Sequence, residues 1–356
     1  MAEFVTEQLK KLVSYAIRGA GFIENFELTT YIGIRVEDGE LYLNTTDNTN
    51  YLSVSDVCQS EDMDITVNAE LFSKLISKIN SEIVELEISD NALVVKGNGK
   101  YTLPLIPDEN GNNLSFPDKF PELAEEIGTI KADDLVTLNT TLKASLSSSK
   151  DSIYTNYYFG DITLTTDRAM ATILDKKMFD GEYLFGKAFI ELLSMGLKDV
   201  TLAKADNKFV ATADVTDTCT ISVCTTVLNK ITDFDTAGIS RLANLETPAF
   251  CRFKKADMLE LLERLSLFVS KFDDGAIELH FTDNSIEVSS LKSDGIESVD
   301  FTESKDTQDM TVKINIDRLR NQLKAYGSDI VDLYYGSPVC IKLKDRDLTQ
   351  VIGLLK

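Results

Sequence analysis

The sequence predicts an α+β protein of three repeated domains, each with two helices packed on antiparallel sheet. Three observations lead there. First, Val67-Asn68-Ala69-Glu70-Leu71-Phe72-Ser73-Lys74-Leu75-Ile76 returns as Leu184-Phe185-Gly186-Lys187-Ala188-Phe189-Ile190-Glu191-Leu192-Leu193 and as Ile314-Asn315-Ile316-Asp317-Arg318-Leu319-Arg320-Asn321-Gln322-Leu323. Each copy has an apolar first residue and apolar residues five and nine further on, the spacing of a strand residue leading into a helix with one buried stripe. Second, each copy is followed by two alternating apolar runs around a turn rich in Ser, Asp, Asn or Gly, the pattern of an antiparallel hairpin. Third, a helical stripe opens each unit: Leu9, Leu12 and Ala16, then Leu135, Leu138 and Leu142, then Met258, Leu261 and Leu265.

In order, the first domain (1–124) opens with a strand at 3–5 and a helix with Thr6 as N-cap and Gly19 at its C-terminal end. Strands follow at 31–36, 41–44 and 51–54, then the repeat helix near 68–80 and hairpins running to Leu105. A loop rich in Pro, Asn and Gly forms the exit. The second domain (125–246) restarts with a helix opened by Ala132-Asp133-Asp134-Leu135 and reaching Lys150. Strands follow at 154–159, 162–166 and 169–174, then the repeat helix near 187–195 and its hairpin. The run 231–245, rich in Asp, Thr and small residues, reads as a second linker. The third domain (247–356) has a strand at 250–253, the longest of six helices at 254–271, strands at 276–281, 285–289 and 295–301, and the repeat helix near 315–326. It ends on an apolar run, 348–355.

At 356 residues the chain is long enough for two or three domains, and three repeats favour three. With 43% hydrophobic and 26% charged residues and no long apolar run, it reads as soluble, without membrane partners. Glu3 stands where a signal peptide carries bases, so a cytoplasmic location is expected. The five scattered cysteines, without a Cys-x-x-Cys pair, read as free buried thiols.

The net charge of -22 argues against a polyanion-binding surface taken over the whole chain. The distribution says otherwise. The six predicted helical segments hold 16 basic and 9 acidic residues, the remainder 20 and 49. At 100° per residue, Lys11, Arg18, Lys74, Lys187, Lys198 and Lys324 lie away from the buried stripes. If the helices share one side, they form a basic surface for a phosphate backbone with no code for base sequence. Lys78, Lys143 and Arg264 complete the candidate DNA-binding set.

The repeats, the unit of paired helices and hairpins, and the basic helices together resemble the bacterial sliding clamp, the beta subunit of DNA polymerase III, in a divergent or phage-encoded form. The resemblance covers the whole chain. Val67-Asn68-Ala69-Glu70-Leu71-Phe72 looks like the family's Val-Pro-Ala-Arg-Lys-Phe segment. Leu103-Pro104-Leu105-Ile106-Pro107 followed by Phe120-Pro121-Glu122-Leu123 looks like its first-domain exit. Thr166-Asp167 at a strand and the apolar carboxyl terminus also match. The resemblance implies a head-to-tail homodimer closed into a ring, its helices lining a hole around double-stranded DNA and its sheets outside. It implies a non-catalytic processivity factor without cofactor or metal, bound by DNA polymerase and clamp loader through short peptide motifs. By position, the partner-peptide groove would use Thr166, Asp167, Arg168, Met170, Pro338, Val351, Ile352, Gly353 and Leu354. The chain departs from the family in having Arg168-Ala169, one residue fewer, for Gly-His-Arg, and Gly353 for a proline; both bear on peptide preference.

Two other classes of function compete. An enzyme finds little support: His280, the single histidine, sits in an alternating strand run with no nucleophile motif beside it. Gly97-Asn98-Gly99-Lys100 lacks the spacing of a phosphate loop and reads as a hairpin turn. Asp133-Asp134 and Asp273-Asp274 suit a helix start and a turn. The alternative is an acidic repeat scaffold that binds proteins only, in which the helical bases would be dispensable.

Overall fold

The computed structural model describes residues 2–149, 152–228, 231–292 and 295–356. Two compact units divide the chain, one of Met1–Val136 with Ala188–Val227, the other of Thr137–Lys187 with Leu228–Lys356. Seven α-helices are present among the described residues: α1 (Thr6–Ala16), α2 (Ala69–Lys78), α3 (Ala132–Thr140), α4 (Lys187–Leu193), α5 (Thr236–Ala243), α6 (Lys255–Leu265) and α7 (Ile316–Ala325).

In the first unit an eight-stranded antiparallel sheet runs Met63–Asn68, Tyr31–Glu37, Glu40–Thr46, Asn50–Val57, Thr220–Thr226, Lys208–Asp214, Val200–Ala205, Glu125–Ile130. Its middle joins two repeats: Ser55 stands opposite Thr220 and Asn50 opposite Thr225. A four-stranded sheet runs Ala2–Val5, Ile83–Ser89, Ala92–Lys96, Lys100–Pro104. α1 packs against α2. Their stripes are the sequence-predicted ones, with Leu9, Ala16, Phe72 and Ile76 fully buried. Burying side chains of this size contributes about 1.5–3 kcal/mol each.

The second unit repeats the scheme. Its nine-stranded sheet runs Tyr183–Gly186, Asn156–Phe159, Thr163–Thr166, Met170–Leu174, Leu348–Gly353, Cys340–Asp345, Ile330–Tyr335, Ala249–Lys254, Glu303–Lys305. Here the join pairs Met170 with Ile352 and Leu174 with Leu348. A four-stranded sheet runs Ile296–Asp300, Ser285–Ser290, Ala276–Phe281, Met310–Asn315. Met258, Leu261, Leu265, Leu319 and Leu323 meet the sheet residues Phe253, Ile314 and Leu333 in one core.

The repeat segment does what its spacing predicts. Val67, Leu184 and Ile314 lie in strands, and helices begin two or three residues later. Asn68 and Asn315 cap α2 and α7, each Oδ1 accepting a backbone N–H three residues on at 2.9 Å. Such caps are worth about 1 kcal/mol.

Several expectations need correction. The N-cap of α1 is Val5, and Thr6 is its buried first residue. Gly19 ends a 3-10 turn without a left-handed backbone; a Cβ there would lie 2.5 Å from Thr45 Oγ1 and 2.6 Å from Leu52 Cβ, so close packing on the sheet requires the glycine. The second-domain helix stops at Thr140, followed by a 3-10 turn at Leu142–Ser145. Lys150, its expected end, lies outside the described residues. Asp199 serves α3 from a distance, accepting from Ala132 N at 3.0 Å and pairing with Lys131 Nζ at 2.8 Å. α6 has 11 residues, no more than α1. The expected second linker contains α5, capped by Asp235, whose Oδ1 accepts from Gly238 N at 2.8 Å.

The rival motifs take structural places. Gly97–Gly99 forms a hairpin turn, and Asn98 Oδ1 accepts from Asn80 N at 2.5 Å at the end of α2. His280 is a half-exposed strand residue, 3.2 Å from Asp309 Oδ1. All five cysteines are free. Among the described residues no helix is long and apolar enough to cross a membrane.

Candidate functional site

The second unit carries an open cleft of about 400 Å³. Its floor is the join between Met170–Leu174 and Leu348–Gly353, where Ala171 stands opposite Val351, with Cys340 beside them. One wall is α5, through Gly238, Ile239 and Leu242, and Tyr154, Val339 and Leu354 add further apolar surface. Phe234 fixes the wall from behind, stacked 5.6 Å from Tyr158 and edge-on 5.1 Å from Tyr154. Burial raises the Cys340 thiol above its ordinary range, so it stays protonated and acts as an apolar group.

A turn at the end of the Thr163–Thr166 strand shapes one end of the cleft. Thr166 Oγ1 accepts from Arg168 N at 2.9 Å and donates to Met170 O at 2.7 Å. Asp167 Oδ1 accepts from both Ala169 N and Met170 N at 2.8 Å. Arg168 therefore sits in the left-handed region, φ +78°, with its guanidinium 5.9 Å from the Tyr154 ring centre. Gly353 N–H donates to Ala169 O at 2.8 Å, and a Cβ on Gly353 would lie 2.8 Å from that same oxygen. The tight turn and the glycine at 353 are thus one adaptation: a proline could not make this bond.

Of the residues expected in the groove, Thr166, Arg168, Met170, Val351, Gly353 and Leu354 line the cleft. Asp167 is spent on the turn's amides. Ile352 is fully buried in the other core, as strand alternation demands beside Val351. Pro338 is exposed outside the lining, and its neighbour Val339 takes that place. Sequence reasoning missed Tyr154, Asp235, Gly238, Ile239, Leu242, Arg318, Val339 and Cys340. A signal existed for α5: Asp235 as a cap, then Ile239 and Leu242 three apart.

Lys342 holds the α5 wall in place. It is 2% exposed, stands opposite Val351, and donates to Ala243 O at 2.8 Å and to Leu245 O, carbonyls at the end of α5. A cation there complements the helix dipole. Burial nevertheless lowers the pKa of its amine.

The candidate DNA-facing cations occupy helical surfaces within each unit. In the first, Lys11, Arg18, Lys74 and Lys78 are exposed on the packed pair α1 and α2 and the turn after α1. Lys198 is also exposed, but in the turn after α4, which ends at Leu193. In the second, Arg264 and Lys324 are exposed on the packed pair α6 and α7; Lys143 is half-buried in a 3-10 turn packed on α7. Lys187 begins α4 and is exposed. These cations are not equivalent. Lys74 pairs with Glu70 at 2.5 Å, and Arg264 binds Glu297 through Nη2 at 2.6 Å and Nε at 3.1 Å. That hydrogen bonding raises the Arg264 pKa and lowers that of Glu297. Lys11, Arg18, Lys78, Lys187, Lys198 and Lys324 have no carboxylate within 4.0 Å among the described residues.

No protein-family model matches the chain, and no curated protein matches it in sequence. Solved structures match it over its full length. The DNA polymerase III beta chain of Streptococcus pneumoniae superposes with a TM-score of 0.84 at 17% identity, covering 100% of both chains. The DNA polymerase sliding clamp of Pseudomonas aeruginosa with ligand gives 0.84 at 15%, covering 100% of this chain and 99% of that one. The Thermotoga maritima beta subunit gives 0.83 at 12%, covering 100% and 99%. The chain has the sliding-clamp fold. A clamp fold at this identity fixes the arrangement of strands and helices while leaving the surfaces free to differ.

Proposed function

We propose that the chain is a DNA sliding clamp, a ring of two copies around duplex DNA that tethers a polymerase and confers processivity without catalysing a reaction. The full-length match to clamp structures carries this reading, and the charge split of the sequence supports it. Basic helices attract phosphates without reading bases, and the acidic remainder repels DNA elsewhere. Linkage by topology lets the individual contacts stay weak, and weak contacts permit sliding.

Ring closure has a physical basis in the sheets. Within the chain, repeats join twice by antiparallel pairing of edge strands. Each four-stranded sheet keeps one edge bridged by the chain itself, Ala2 to Ser60 and Lys313 to Leu355. The other edges, Lys100–Pro104 and Ile296–Asp300, have no second strand partner among the described residues. Free edges are templates for pairing. Pairing one with the other on a second copy repeats the internal joins and closes a head-to-tail dimer of three domains per chain, with boundaries near 124 and 246. The side chains suit this: Tyr101 and Ile296 are exposed on the two edges, and Leu267 and Phe268 are exposed near the second. The cleft then serves as the dock for short peptide segments of the polymerase and clamp loader, in the cytoplasm.

Light scattering tests the assembly. A dimer that falls to folded monomers on changing the exposed Ile296 to Asp supports the closure, and a monomer from the unaltered chain refutes it.

A further inference from the structure

The two units are built alike and differ in what covers one face of the joined sheet. The turn Thr46-Asp47-Asn48 copies Thr166-Asp167-Arg168: Thr46 Oγ1 donates to Asn50 O at 2.7 Å and accepts from Asn48 N at 3.0 Å, and Asn48 is left-handed at φ +77°. Counted from these turns, Asn44 corresponds to Leu164 and Ser53 to Ile173, and in each unit the two residues stand opposite one another on adjacent strands. Leu164 and Ile173 are buried in an apolar cluster with Phe234. In the first unit the same two places are polar and line a cavity of about 200 Å³ between the sheet and the loop that leaves the first domain. That loop is fixed on the sheet: a Cβ on Gly33 would lie 2.3 Å from Phe116 Cβ, and Thr66 Oγ1 donates to Leu114 O at 2.7 Å.

The polar lining is unpaired. Among the described residues the side chains of Asn44, Tyr51, Ser53 and Ser55 make no hydrogen bond, and the Arg35 guanidinium has only Glu37 at 3.7 Å and the Tyr42 ring at 4.9 Å. Folded proteins rarely leave so many polar groups without partners in one place, and their convergence on a cavity marks a binding site. Its chemistry narrows the ligand. Hydroxyls and an amide both donate and accept, which matches a ring edge carrying both kinds of group. Tyr42, Tyr51, Phe116 and Phe120 line the same space and suit a flat ring. An apolar ring would leave the polar groups buried and unpaired. Asp64 and Asp118 also line the cavity, and Glu37 and Glu40 lie against Arg35 and Tyr42, so four acids stand around one base and anions are repelled. Asp64 Oδ2 accepts from Ser115 Oγ at 2.6 Å and Asp118 Oδ1 from Phe120 N at 2.9 Å, which leaves each a second oxygen for a sugar hydroxyl.

We propose that this cavity binds a neutral nucleoside, the base among the aromatic rings with Asn44, Ser53 and Ser55 on its edge, and the sugar at the mouth beside Asp64 and Asp118. The site is smaller than the roughly 300–1,000 Å³ of drug-sized pockets, so it holds one base rather than a stretch of strand. It is independent of the peptide dock and of ring closure.

Equilibrium dialysis of the full chain against labelled adenosine, guanosine, cytidine and uridine tests this. At least one nucleoside should saturate at one per chain, its 5′-monophosphate should bind roughly fivefold more weakly, and a single-stranded oligonucleotide of the same base should not compete. Asn44→Ala and Ser53→Ala should each weaken binding by roughly threefold to tenfold. Asn44→Leu combined with Ser53→Ile installs the residues of the second unit and should abolish binding, with circular dichroism reporting that the chain stays folded; the two alanine variants carry the test if it does not. Binding of no nucleoside, or binding that all these variants leave unchanged, overturns the site. Tighter binding of the monophosphate, or competition by the oligonucleotide, overturns the assignment to a neutral nucleoside.

Discussion

Arg264 and Lys324 project from adjacent helices and look interchangeable by charge, yet the structure predicts that they differ on DNA. Lys324 is exposed with no carboxylate within 4.0 Å among the described residues, whereas Arg264 is held by Glu297 at 2.6 Å and 3.1 Å and has Glu260 at 3.9 Å. A cation that meets phosphate releases counterions and adds about 0.9 to the slope of log affinity against log salt. Lys324→Ala should therefore reduce that slope by nearly the full step, and Arg264→Ala by clearly less, because Arg264 must first give up its carboxylate. Glu297→Gln should do the reverse and raise the slope by up to about 0.9, since it frees the guanidinium. The assay is anisotropy of a labelled short duplex over a salt series of about 50 to 200 mM, with dimer mass checked because Glu297 lies on the proposed closing strand. Equal losses for the two helix variants, with no gain from Glu297→Gln, would refute the reasoning that ion pairing grades these cations.

Other predictions concern the frame. Asn68→Ala and Asn315→Ala should each cost about 1 kcal/mol in denaturant unfolding, and their effects should add because each cap serves its own helix. Gly353→Ala places a Cβ 2.8 Å from Ala169 O and disturbs the bond from Gly353 N–H; a cost of about 1–3 kcal/mol is expected, with faster amide exchange in the 167–170 turn. Lys342 has its pKa lowered by burial from the ordinary 10.5. Between the lowered value and 10.5 the unfolded chain binds a proton that the folded chain does not, so this group makes folding more favourable as pH rises through that window. Denaturation of the parent and of Lys342→Met at about pH 8 and about pH 10 should show the parent gaining on the variant at the higher pH.

The repeat architecture was legible because local patterns carry it. Val67, Phe72 and Ile76 announce a strand, a helix and its buried face within ten residues. The exposed sides of α1, α2, α6 and α7 were legible for the same reason, and the Lys74–Glu70 pair follows from a four-residue spacing. What the sequence hid was non-local. Glu297 lies 33 residues from Arg264, and Asp199 caps α3 from 67 residues away. α5 was read as a linker because Thr236, Gly238 and Ser240 are weak helix formers; tertiary support from Lys342 and the Asp235 cap overrides them. That one misreading removed a wall of the cleft. Arg318 was missed because its helix was assigned wholly to the DNA side, while its first turn reaches the other site.

The most direct test of the central claim is retention on nicked circular plasmid after loading with a clamp loader and ATP, compared with the same plasmid linearised. The account predicts a dimer that stays on circles and runs off linear DNA. A protein that stays on neither form with its cognate loader, or equally on both, would contradict the ring.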